Sequence, residues 1–199
     1  QWRTVALLAS DTKVLAIFAV ADRIKETSRE ALAELHRLGI ASVMLTGDNV
    51  ATAASIAAQA GIDDARGNLL PEDKLAAIME LQQTHGLTAM TGDGINDAPA
   101  LAKADIGVAM GAAGTDTAME AADVVIMNDD LRRIPELVHL SRRTHAVLWQ
   151  NIFVALGIKT VFLVLAVAGD ASMWMAVFAD MGASLLVVAN GLRLLGERK

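Results

Sequence analysis

Val43-Met44-Leu45-Thr46-Gly47-Asp48-Asn49 and Leu87-Thr88-Ala89-Met90-Thr91-Gly92-Asp93-Gly94-Ile95-Asn96-Asp97 follow one plan. Each is a short apolar, β-prone run, then Thr-Gly-Asp, then a helical pattern. Strands alternating with helices predict right-handed βαβ crossovers and a parallel sheet. In such a sheet the loops at the carboxyl ends of the strands gather along one edge, where ligands bind. The expected fold is α/β, with both Thr-Gly-Asp loops facing one site.

Upstream, Thr4–Ala9 and Val14–Val20 read as a strand pair joined by the turn-like Ser10-Asp11-Thr12-Lys13. Thr27 or Ser28 is expected to cap a helix running to Leu38, with Gly39 closing it. Ala51–Ala60 predicts a helix stopped at Gly61, and Glu72–Gln83 another entered through Pro71. A third helix follows the second loop with Pro99 in its first turn, where a missing N–H costs nothing. Ile106–Ala109 and Val124–Met127 read as further strands.

Composition then shifts. Between Ala146 and Leu192 the only charged residues are Lys159, Asp170 and Asp180. Two apolar stretches, about 146–168 and 172–192, each reach the ~20 residues that cross a hydrocarbon core of about 30 Å. The 54% hydrophobic content and a mean hydropathy of +0.42 agree with contact to membrane lipid. Arg132, Arg133, Arg142 and Arg143 precede the first span, and Arg193, Arg198 and Lys199 follow the second. The positive-inside bias therefore expects an integral membrane protein with both hairpin ends and the α/β part cytoplasmic.

A net charge of −6, with no basic run, argues against a nucleic-acid partner, which needs a cationic face. The absence of cysteine removes disulfides and thiolate ligands. The chain opens on Gln1, with no basic segment ahead of a short apolar core, so no signal peptide is expected and a partial protein is. His36, His85, His139 and His145 show no ligand spacing, and the nine methionines read as core and lipid-facing filler.

The chemistry concentrates in the two loops. Asp93 ends a strand, the natural position of a Mg²⁺ ligand, and this cation needs only one or two carboxylates beside a phosphate. Asn96 and Asp97 open a helix whose first amides favour anions. In the weaker first loop Thr46 offers a hydroxyl and Gly47 an amide to a phosphoryl oxygen, while Asp48 and Asn49 also suit a helix cap. Lys74, in Pro71-Glu72-Asp73-Lys74, offers a compact positive charge to a phosphoryl group. A hydroxyl, a lysine and a Mg²⁺-binding acid are parts of phosphoryl transfer, where catalysis is positioning and charge neutralisation. No nucleophile accompanies them: Asp11-Thr12-Lys13 sits in a hairpin turn with no glycine to admit a phosphate.

Thr46-Gly47-Asp48-Asn49, Pro71-x-Asp73-Lys74 and Gly92-Asp93-Gly94-Ile95-Asn96-Asp97-Ala98-Pro99 resemble the later motifs of P-type cation-transporting ATPases, whose fold is haloacid-dehalogenase-like. Ala104-Asp105-Ile106-Gly107-Val108-Ala109-Met110-Gly111 and Glu120-Ala121-Ala122-Asp123 extend the resemblance almost end to end. It implies that Asp93 and Asp97 hold Mg²⁺ beside Asn96, that Lys74 and Thr46 contact an aspartyl phosphate, and that Asp22 lies near the hinge to an ATP-binding domain. It further divides the chain into end strands of the nucleotide-binding domain (1–20), a phosphorylation domain without its first motif (21–140) and the last two transmembrane helices (141–199). The family's Asp-Lys-Thr-Gly-Thr, Thr-Gly-Glu and Cys-Pro-Cys motifs are absent, so the chain resembles a carboxyl-terminal piece, expected to be inactive without the missing amino-terminal portion.

Lys159 lies eleven residues before Asp170 and Asp180 ten after it. At ~1.5 Å per residue, antiparallel helices bring both to about 16 Å depth, near mid-membrane. Intramembrane charges are costly, tend to pair and mark ion paths. Asn151, Lys159 and Asp180-Met181-Gly182-Ala183-Ser184 resemble the zinc, cadmium and lead exporters, which makes Asp180 a transport ligand and Lys159 its charge partner. The rival readings are a copper-type pump, a membrane-anchored phosphatase of the same fold and a non-catalytic membrane subunit. The copper subgroup favours a Tyr-Asn pattern, and this chain has no tyrosine.

Overall fold

The computed structural model describes residues 4–10, 13–20, 24–92, 95–111, 120–169 and 172–195. The chain divides into two compact units, Gln1–Pro135 and Glu136–Lys199. The first opens on an antiparallel hairpin of β1 (Thr4–Ser10) and β2 (Lys13–Val20), as its two apolar runs predict. Both strands carry large exposed apolar side chains, among them Leu7, Leu8, Val14, Leu15 and Ile17.

The α/β part follows as α1 (Glu26–Arg37), β3 (Val43–Leu45), α2 (Val50–Ala60), β4 (Asp64–Arg66), α3 (Pro71–His85), β5 (Ala89–Gly92), α4 (Ala98–Lys103), β6 (Ile106–Met110) and β7 (Val124–Ile126). The predicted parallel pairing is present, divided into two sheets rather than one. β3 pairs with β4, and β6 lies between β5 and β7, every pair parallel. The ladder partner of β3 is a strand that composition does not announce: Asp64-Ala65-Arg66 is short and mostly polar.

Local chemistry fixes the helix ends. Asn49 Oδ1 accepts from the Thr52 N–H at 2.8 Å and caps α2. α3 starts at Pro71 in its first turn, and Asp73 Oδ2 accepts from the Leu70 N–H at 2.9 Å. α1 starts before the expected hydroxyl caps: Lys25 is its N-cap position and provides no side-chain cap. An ion pair between Lys25 and Asp129 engages that side chain instead.

β6 explains why the apolar stretches are continuous rather than alternating. Ala109 faces a cluster with Ile78, Met90, Ala100 and Leu101, with Leu45 packed against it. Its neighbours Val108 and Met110 face a second cluster with Ile126, joined by Leu131 and Ile134. A strand covered on both faces has no solvent side to keep polar. Because Leu45 shares a core with Met90, the strands that carry the two Thr-Gly-Asp loops rest on the same packed interior.

The second unit is carried by two helices, α5 (Arg133–Ala168) and α6 (Met173–Leu192). α5 is 36 residues long and starts well before the predicted span at 146. Apolar length marks where lipid is met, whereas helix continues through the polar Arg133–His145 stretch because nothing there breaks it. Pro135 lies in the first turn, where no N–H is needed. Both helices are long and apolar enough to cross a membrane and leave those stretches uncovered.

Candidate functional site

At the end of β3 the chain enters a tight polar loop. The Asp48 N–H donates to Thr46 Oγ1 at 3.1 Å, and the Thr46 hydroxyl lies 3.1 Å from Asp48 Oδ2. Asn49 is committed to capping α2. Half-buried Thr46 therefore sits beneath an exposed Gly47-Asp48 crest.

A second backbone segment straps this loop in place. The Thr46 N–H donates to the Arg66 carbonyl at 3.0 Å, Leu69 N–H to the Thr46 carbonyl at 3.0 Å, and Asn68 N–H to the Asp48 carbonyl at 2.6 Å. Gly67 is needed for this approach: a Cβ there would stand 2.8 Å from the Asp48 carbonyl oxygen and from the Val50 backbone. Asn68 adopts a positive φ of 58°, which asparagine tolerates better than most residues. Arg66 anchors the strap, donating in a fork to Glu80 at 2.9 and 3.2 Å and to Asp64 at 3.1 Å. Those carboxylates raise its already high pKa, Glu80 contributing most.

The strap runs directly into α3, which carries Lys74. Lys74 Nζ donates to Asp97 Oδ1 at 2.8 Å, and the two side chains are only 15% and 14% exposed. Charges this far from water are paired or costly. Asp97 ends the 3₁₀ turn Ile95–Asp97 and leads into α4. Its carboxylate lies against the end of β5 so closely that a Cβ at Gly92 would sit 2.8 Å from its Cβ and 2.9 Å from Oδ2. Asn96 is exposed beside it, and Pro99 falls in the first turn of α4 as expected. The structure thus brings Lys74 to Asp97. Asp93 and Asp22 lie outside the described residues, as does Asp170.

Among the described residues no group of three or more His, Cys, Asp and Glu assembles. Mg²⁺ does not need one, since it keeps water and takes one or two carboxylates together with phosphate oxygens. The Asp97 carboxylate and the amide of exposed Asn96 are oxygen donors of the kind that Mg²⁺ takes.

Polar staples hold the rest of the sheet away from the site. Asp105 accepts from the Thr88 N–H at 2.9 Å and from Gln82 at 3.2 Å, and the Thr88 bond above all holds its carboxyl below the usual range. Asp63 is lowered in the same way, first by the Ser42 N–H at 2.7 Å and also by His36. Asp130 is lowered chiefly by the Arg132 guanidinium.

In the second unit, Lys159 Nζ stands 3.7 Å from Asp180 Oδ1, as the depth argument predicts. Both side chains are largely exposed on the helix pair, at 65% and 68%. Ser184, one turn on, donates its hydroxyl to the Asp180 carbonyl at 2.9 Å. Asn151 is engaged as well, accepting from Asn190 at 2.9 Å, a partner that no single-helix pattern points to.

The family model for haloacid dehalogenase-like hydrolases matches residues 2–105 of the 199. A probable cadmium-transporting ATPase of Alkalihalophilus pseudofirmus is 49% identical over 98% of this chain and 27% of its own length. The zinc/cadmium/lead-transporting P-type ATPase of Escherichia coli is 47% identical over 98% of this chain and 26% of its own. The crystal structure of a zinc-transporting PIB-type ATPase in its E2·Pi state superposes with a TM-score of 0.88 at 47% identity, covering 97% of this chain and 32% of that one. The chain belongs to the haloacid dehalogenase-like hydrolase family. Its homologues are heavy-metal-transporting P-type ATPases, and it spans about a quarter of the length of these curated relatives.

Proposed function

We propose that this chain forms the carboxyl-terminal part of an ATP-driven exporter of Zn²⁺, Cd²⁺ or Pb²⁺, working through an aspartyl phosphate supplied by another portion of the pump. The observation that carries the reading is the shielded Lys74–Asp97 contact, joining the start of α3 to the second Thr-Gly-Asp loop. Neutralising phosphoryl charge in a dry site is the main task of such chemistry. The relatives that transport cadmium and zinc support the cargo, the two long apolar helices support a membrane location, and the arginines flanking them favour a cytoplasmic α/β part.

The chain's own groups then take definite tasks. Lys74 places a fixed ammonium against a phosphoryl oxygen, while Asp97 holds that ammonium in register. Thr46 keeps its hydroxyl on Asp48 at 3.1 Å until a phosphoryl oxygen competes for the proton, and Gly47 adds a backbone N–H. Asp48 and Asn49 shape that loop, while Asp93 and Asp97, with Asn96 beside them, hold Mg²⁺. When bound, Mg²⁺ supplies charge neutralisation at the phosphoryl oxygens. The task that the resemblance gives Asp22 is at the hinge to a nucleotide-binding domain. In the membrane, Asp180 is the transport ligand and Lys159 its charge partner.

Lys74→Ala in the complete pump is expected to lower the rate of metal-stimulated ATP hydrolysis by ~100-fold or more, the scale of losing one oxyanion-stabilising donor. Undiminished hydrolysis would remove Lys74 from the site. The 199-residue chain alone is expected to trap no aspartyl phosphate from labelled ATP.

A further inference from the structure

Asn190, near the carboxyl end of α6, has nearly all of its amide engaged. Nδ2 donates to Asn151 Oδ1 at 2.9 Å and to Gln150 Oε1 at 3.2 Å, both on α5. Its Oδ1 accepts from Arg193 Nη1 at 3.2 Å. Three of the four bonds an asparagine side chain can make are present, and two of them cross between helices. Nearer the end of the helix pair, Arg143 Nη2 donates to the Arg193 carbonyl at 3.3 Å, adding a third crossing bond.

The amides lie toward the end of the apolar helix pair, yet their bonds are made across it and fix how one helix meets the other. Apolar helix surfaces slide past one another with little preference, and polar crossings of this type set register. Asn151 lies eight residues from Lys159, and Asn190 ten from Asp180. At ~1.5 Å per residue the ion pair stands about 12–15 Å from the amides along both helices. A slip of one helical turn, ~5.4 Å, would carry Lys159 out of reach of Asp180, which it now meets at 3.7 Å.

We infer that Asn190, through Asn151 and Gln150, is a positioning residue that locks the register of α5 and α6 and so keeps Lys159 level with Asp180. The inference rests on the transport role given to that pair, while its geometric half stands apart from it. The clasp itself binds no cargo. It acts only through the ion pair that it places.

The chain contains no cysteine, so spin labels can be attached at exposed Leu163 and Val177 through introduced cysteines. In the full chain in lipid bilayers, the label pair is expected to give one narrow distance, which Asn190→Leu disperses and Asn190→Gln preserves. Asn151→Leu combined with Asn190→Leu is expected to be no worse than Asn190→Leu alone, because the bond that Asn151→Leu removes is already lost there. In the complete pump, Asn190→Leu is expected to raise the Zn²⁺ concentration for half-maximal ATPase stimulation about tenfold, as for loss of an orienting partner, with kcat changed little. An unchanged label distance in Asn190→Leu, or losses that add in the double variant, would overturn the clasp. If instead the distance disperses and zinc dependence does not move, the clasp sets register without serving the ion pair, and the inference fails in its second half. Full zinc stimulation in Asp180→Ala would sink the transport reading and leave the distance result standing.

Discussion

Gly92 occupies the last position of β5 because the Asp97 side chain needs its space. A Cβ there would stand 2.8 Å from the Asp97 Cβ, a separation that real Cβ atoms do not tolerate. Gly92→Ala is therefore expected to push Asp97 away from Lys74 and reduce ATP hydrolysis by the complete pump at least tenfold, the order of a small misplacement at a reacting centre. Secondary structure measured by circular dichroism should stay unchanged. Asp105 gives a residue-scale prediction in pH. Its carboxyl is held below the usual range by the Thr88 N–H, so the bond contributes fully above the ordinary value near ~3.9. That contribution disappears as the pH falls through the lower folded value. Asp105→Asn is expected to lose stability at neutral pH and to flatten this acid limb in an unfolding series. Thr46, Lys74 and Asp97 could be singled out in the sequence because each belongs to a short run whose residue types suit phosphate and Mg²⁺, and the structure adds the Lys74–Asp97 contact. Gly67 and Arg66 could not be. Their task arises where two backbone segments some twenty residues apart meet, and no local pattern announces a meeting.

Among the elements, α2 depends on one side chain at its start. Asn49→Ala removes the 2.8 Å bond to the Thr52 N–H and is expected to cost about 1 kcal/mol. Faster hydrogen exchange confined to the first turn of α2 would register it, and unchanged exchange would refute the cap's role. α4 depends instead on Leu101, which is 1% exposed between the sheet and α3. Leu101→Ala is expected to destabilise the unit by about 2–5 kcal/mol, read from the denaturation midpoint. The helices and the strands β3, β5 and β6 were readable because apolar runs, glycine stops and proline starts agree with one another. β4 escaped because three residues with two charges carry no strand period; only its ladder with β3 makes it one. The early start of α5 escaped for a related reason, since hydropathy locates lipid and is silent about helix that continues beyond it.

For the whole molecule, two units of different solvent preference share one chain, Gln1–Pro135 built on a parallel α/β core and Glu136–Lys199 on two apolar helices. The pairing of Lys159 with Asp180 was foreseen from spacing alone, because helical rise converts sequence distance into depth. The Asn151–Asn190 contact was not, since it depends on how the two helices settle against each other. The central claim is the proposal that a phosphoryl site around Lys74 and Asp97 answers to the membrane pair. It is tested most directly by measuring Zn²⁺-stimulated phosphoenzyme formation from labelled ATP in the complete pump carrying Asp180→Ala, alongside phosphorylation from inorganic phosphate without metal. The account predicts that metal stimulation collapses while phosphorylation from inorganic phosphate persists. Full metal stimulation in Asp180→Ala would contradict it.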